Sequence, residues 1–173
     1  MLLRILLLNF VAIHTTLFSG TQVLYDLAAA DPSLQDRLFA EIEASVTPPI
    51  TKPVLTGLKK LDSLIRESMR CNGVAITSAV RKAREDFVFT TVPGGLRLPK
   101  GSYVLAPAEA MHMDESRYPD AHTFDAERFS KMREVPGHEA RHQAISVDAD
   151  YLPFGVGKHA CPGRFFAVNE VSW

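Results

Sequence analysis

Cysteine is scarce in this chain: two residues in 173, Cys71 and Cys161, set far apart. No Cys-x-x-Cys pair accompanies them, so the usual zinc-ligand spacing is absent. His112, His122, His138 and His142 show no metal spacing and read as loop histidines. Neither sign of charge dominates. The net charge is -1, from 19 Lys+Arg and 20 Asp+Glu, which removes the electrostatic footprint of a nucleic-acid or acidic-surface binder. Internal repeats and low-complexity tracts are lacking as well. Long apolar runs are nearly so. Met1 to Ile13, with Arg4 near its start, is too short to span a membrane and meets His14, Thr15 and Thr16. It reads as a secretory signal's hydrophobic segment or as a buried helix.

What is present describes a globular chain. Hydrophobic residues make up 46% and charged residues 23%, enough at this length for one domain with a core. Residues 2–29 read as one long apolar helix, weakened near Ser19-Gly20. Asp31-Pro32 is a helix start, Asp as N-cap and Pro at the first helical position. Leu34, Leu38, Phe39, Ile42 and Val46 form a helical stripe that ends before Thr47-Pro48-Pro49. Leu58, Leu61, Ile65 and Met69 define another helix, which carries Glu67 and Arg70 on one face. Phe87–Val92 and Leu96–Leu98 flank Pro93-Gly94-Gly95 as a hairpin, with Tyr103–Leu105 expected beside it. Residues 130–149 are a charged meander expected to be loop.

The run Phe154-Gly155-Val156-Gly157-Lys158-His159-Ala160-Cys161-Pro162-Gly163-Arg164 places one cysteine in a glycine-rich loop that leads into a helix over Phe165–Val171. A thiolate there would face backbone N–H groups and the positive end of a helix dipole, which favour ligation of a metal. A disulfide to Cys71 would consume that sulfur. At roughly 5% usage each, Phe154, Gly157, Cys161 and Gly163 recur together by chance on the order of once per thousand chains of this length. The loop resembles the haem-ligating loop of the cytochromes P450, the haem-thiolate monooxygenases. Two further motifs of that family occur upstream in its order. Glu67-Ser68-Met69-Arg70 resembles Glu-x-x-Arg, and Ala126-Glu127-Arg128-Phe129 resembles Pro-Glu-Arg-Phe, with Ala for Pro.

The resemblance implies a mainly α (α+β) fold: the C-terminal part of the cytochrome P450 fold, with long helices, a small β-hairpin region, a meander and the ligand loop. Residues 1–173 would form a single partial domain truncated at both ends. It implies haem b held by Cys161, with Phe154, Gly157 and Gly163 shaping the loop and His159 and Arg81 on the haem propionates. Glu67, Arg70 and Arg128 would form a buried structural network. Ala12, His14 and Thr15 would occupy the distal helix over the haem, a third reading of the N-terminus that the resemblance favours. Thr15 would deliver protons. His14 departs from the family's acid at its place and can assist, since imidazole titrates near neutrality. The implied reaction inserts one oxygen atom from O2 into an apolar small molecule, in fungal secondary-metabolite biosynthesis. Electrons would come from NADPH through cytochrome P450 reductase. A full-length member would sit on the cytosolic face of the endoplasmic reticulum membrane, through an anchor expected to be absent here. Two alternatives stand beside it: a non-catalytic remnant or gene-model fragment, and a peroxide-using haem-thiolate enzyme.

Overall fold

The computed structural model describes residues 1–46 and 48–172. Thr47, expected just past the second helical stripe, and Trp173 lie outside the described residues. Leu2–Ala29 forms one continuous helix, α1, which neither His14-Thr15-Thr16 nor Ser19-Gly20 interrupts. Its length and composition suffice to cross a membrane, yet its C-terminal half packs against protein. Asp31 starts α2 (Pro32–Ser45), its carboxylate accepting the Ser33 N–H at 2.8 Å. Leu34 and Leu38, four apart, are buried. Phe39 is 62% exposed and leaves the expected stripe, because one residue turns it about 100° from Leu38.

A short α3 (Lys52–Gly57) precedes α4 (Lys59–Cys71), the centre of the molecule. Every residue from Ser63 to Arg70 is buried, so this helix is enclosed on all sides and not merely on one stripe. Leu64, Ile65 and Met69 pack with Val23 of α1, Leu34 and Leu38 of α2, and Phe129 and Tyr151. Its polar residues therefore need partners inside the protein.

The expected hairpin is present. Strands β2 (Phe87–Phe89) and β3 (Leu96–Leu98) pair antiparallel, Phe87 opposite Leu98, around Gly94 and Gly95 at φ +83° and +70°. Its expected neighbour lies elsewhere. Strand β4 (Tyr103–Ala106) pairs instead with β1 (Ser78–Lys82), giving a second two-stranded sheet. The sequence hid β1 because its register breaks between Ser78 and Arg81, where Ala79 takes φ +52°. Next come α5 (Ala108–His112) and α6 (Arg128–Arg133), a short helix whose last four residues fall in the expected loop. Residues 134–156 carry no helix or strand among the described residues. A 3-10 turn at Gly157–His159 then leads to α7 (Arg164–Ser172), which lies against α1, α3 and α4.

Candidate functional site

Cys161 is positioned by its own loop. Its N–H donates to the Phe154 carbonyl at 2.8 Å, and the Gly155 N–H donates to the Leu152 carbonyl at 2.9 Å. Gly155 and Gly157 adopt φ +67° and +69°, a region that side-chain-bearing residues avoid. Gly163 lies beside the sulfur: a Cβ there would sit 3.8 Å from Cys161 Sγ. From the following helix, Arg164 donates to the Cys161 carbonyl at 2.9 Å and to the Ile145 carbonyl at 3.1 Å.

Two hollows meet at this cysteine. One, of about 240 Å³, lies under α1, with Thr15 and Val11 on one wall and Met69, Phe154 and Val168 among the others. The second, of about 250 Å³, is lined by Arg81 and His159. Ser78, Phe154 and Cys161 belong to both. The structure thus sets Thr15 and Arg81 with His159 in two adjoining hollows, the first mostly apolar, with Cys161 and Phe154 on the wall between them. Thr15 Oγ donates to the Val11 carbonyl at 2.7 Å. His14 is exposed and lines neither hollow; its ring meets Phe10 edge-on at 4.9 Å. Arg81 donates to the Val80 carbonyl at 2.8 Å.

Within α4, Glu67 is fully buried. Its Oε1 accepts from Arg70 at 2.8 Å, Arg128 at 3.0 Å and the Asp125 N–H at 3.1 Å. Its Oε2 accepts from Arg70 Nε at 2.8 Å. Arg70 also donates to the His112 carbonyl at 2.6 Å, and Arg128 to the Asp120 and Thr123 carbonyls at 3.0 and 2.9 Å. Three charges from two distant motifs thus satisfy one another and tie α4 to residues 112–128. Cys71, the other cysteine, is kept a neutral thiol. Burial, and then the Glu67 carboxylate, push it up to about 11.

Three groups went unseen in the sequence. Arg66 lies between Tyr151 and Phe129, its guanidinium carbon 3.6 and 4.6 Å from the ring centroids, and donates to the Gln143 and Ser146 carbonyls. Asp26 of α1 accepts from Ser68 at 2.6 Å and from Asn72 at 3.2 Å, joining α1 to α4. His112, expected in a loop, closes α5 and is 2% exposed. For Arg66 the available signal was a further charged residue directly before the Glu67–Arg70 motif of α4. For Asp26, a lone acid within an apolar helix was the signal.

The donor set suits a metal that brings its own ligands. Cys161 offers one sulfur, and no group of three His, Cys, Asp or Glu able to hold a metal ion occurs among the described residues. Apolar walls, one sulfur, and the basic side chains of Arg81 and His159 in the adjoining hollow are the chemistry that a flat macrocycle bearing carboxylates would require.

Comparison with known proteins gives the family. The profile of the family described as Cytochrome P450 matches residues 2–173. The chain is 43% identical to cytochrome P450 monooxygenase 103 of Postia placenta, over 94% of this chain and 32% of that protein. It is 39% identical to cytochrome P450 monooxygenase CYP512U6 of Ganoderma lucidum, over 95% of this chain and 32% of that one. Identity to cytochrome P450 monooxygenase pyr3 of Aspergillus fumigatus is 40%, over 96% and 31%. The chain therefore spans about a third of the length of these relatives. With its mainly α architecture, its cysteine loop and its buried Glu67–Arg70–Arg128 network, the chain belongs to the cytochrome P450 family.

Proposed function

We propose that this chain supplies the haem-ligating portion of a fungal monooxygenase that inserts one oxygen atom from O2 into an apolar small molecule of secondary metabolism. One observation carries the reading: Cys161 and Thr15 line the same hollow from different elements. Haem bound there supplies the activation of O2, helped by the electron density that a thiolate ligand donates. Cys161 is the ligand, and Phe154 with the glycine loop keeps water from its sulfur. Arg81 and His159 hold the propionates as cation–carboxylate pairs. Thr15 lines the hollow and delivers a proton from Oγ by turning its hydroxyl from the Val11 carbonyl, and His14, exposed beside it on α1, passes protons in from solvent. The apolar lining of Val11, Met69 and Val168 suits an apolar substrate. Electrons come from NADPH through a reductase, and the whole protein is held at the endoplasmic reticulum membrane.

The test uses the whole protein that contains this chain. Reduced and exposed to carbon monoxide, it should show the red-shifted Soret band of thiolate ligation, and Cys161→Ala should abolish it. Retention of that band in the variant would overturn the reading.

A further inference from the structure

We propose that His112 is a positioning residue for the Cys161 loop, fixing its register through a single hydrogen bond accepted at Nε2. The proposal rests on the reading of Cys161 as the haem ligand. His112 closes α5, far in sequence from the cysteine, and is 2% exposed. Its Nε2 accepts the Leu152 N–H at 3.0 Å. Leu152 is itself 3% exposed, so that N–H has no water to replace the imidazole, and an unpaired buried donor is costly.

The loop hangs from this point. The Leu152 carbonyl accepts the Gly155 N–H at 2.9 Å, and the Phe154 carbonyl accepts the Cys161 N–H at 2.8 Å. Leu152, Phe154 and Cys161 all line the hollow under α1. On its other side His112 is fixed twice. Its carbonyl accepts from Arg70 at 2.6 Å, and its ring stacks on Tyr151 with centroids 5.6 Å apart. His112 therefore joins the buried Glu67–Arg70 pair to the cysteine loop by hydrogen bonds on both of its faces. Burial, opposed by few favourable partners, lowers its proton affinity to about 4, so the ring stays neutral and Nε2 remains an acceptor at physiological pH. With Nε2 accepting, the ring proton resides on Nδ1.

Two roles are separable: ring packing on Tyr151 and acceptance at Nε2. His112→Phe keeps an aromatic ring and removes the acceptor. His112→Gln removes the ring and sets an amide oxygen near the place of Nε2. In the whole protein, amide hydrogen exchange at Leu152 should quicken about tenfold or more in His112→Phe and stay near wild type in His112→Gln. The share of reduced, carbon-monoxide-bound protein with the thiolate-type Soret band should fall in the Phe variant and recover in the Gln variant. Folded Gln protein alongside unfoldable Phe protein supports the acceptor role equally. Wild-type exchange and spectrum in the Phe variant would overturn the proposal. So would a Gln variant that fails while the Phe variant holds, since the ring alone would then matter. A wild-type protein lacking the thiolate band would sink the ligand assignment instead, while Leu152 exchange would still decide the role of His112.

Discussion

Glu67 has no exposed surface and four close hydrogen-bond donors, so its charge is held entirely by its neighbours. Removing it leaves Arg70 and most of Arg128 buried without a counter-ion. Glu67→Ala should cost about 3–5 kcal/mol of stability, read by chemical denaturation, and with it most haem-containing protein. The surface pair Arg97–Asp86, at 73% and 55% side-chain exposure, offers the contrast: its removal should change stability by less than about 1 kcal/mol. Equal effects of the two substitutions would show that burial does not govern these pairs. On the function proposed above, Thr15→Ala in the whole protein should leave folding and the thiolate-type spectrum intact while lowering product formed per NADPH, because the proposed proton donor is lost. Unchanged product yield would make Thr15 a packing residue. The Glu67–Arg70–Arg128 network was legible because two motifs name its residues at fixed spacing. Arg66 and His112 were not, since only the tertiary fold reveals that an arginine stands between two aromatic rings or that a histidine faces a buried N–H.

At the scale of elements, α4 shows where sequence periodicity fails. A helix buried on one stripe announces itself by spacing, but one enclosed all round carries polar residues on its inner faces, and these read as surface. Ser68 is an example: its hydroxyl donates to Asp26 of α1 at 2.6 Å and is 1% exposed. Asp26→Leu should strand that hydroxyl and the Asn72 amide, costing roughly 1–3 kcal/mol. A stability equal to wild type would show that α1 docks by apolar contact alone. The strands teach the same lesson. The β2–β3 hairpin was legible from Pro93-Gly94-Gly95, whereas the β1–β4 pairing spans a long connection and a register break.

The short helix α5 adds a dependence on pH. Its His112 is lowered from 6.5 to about 4, chiefly by burial and then by the Arg70 charge. The unfolded chain thus takes up a proton at a higher pH than the folded one. The stability from this site is complete above about pH 6.5 and is lost as pH falls toward 4. Denaturation midpoints measured across that window should decline, and His112→Gln should flatten the part that His112 contributes. A decline of equal steepness in that variant would assign the effect to other groups, such as His142, which burial also lowers.

Across the whole molecule the core is lopsided. It gathers around α4 and the second half of α1, where Val23 is buried. The first half of α1 projects with Leu3 at 80%, Leu7 at 63% and Phe10 at 64% exposure. Those three share one face of the helix. An apolar stripe of that extent is far more than a soluble surface normally shows to water. Residues 1–173 expressed alone should therefore associate, eluting as large species in size-exclusion chromatography and dispersing in mild detergent. Replacing Leu3, Leu7 and Phe10 with polar residues should restore a single small species without detergent, because none of the three lies in the core around α4. If the unaltered segment runs as a monomer in plain buffer, α1 must fold back onto the protein and the projecting arrangement is wrong. If the triple variant still associates, the exposed strands carry the contact, with Val80, Phe87 and Tyr103 the next residues to change.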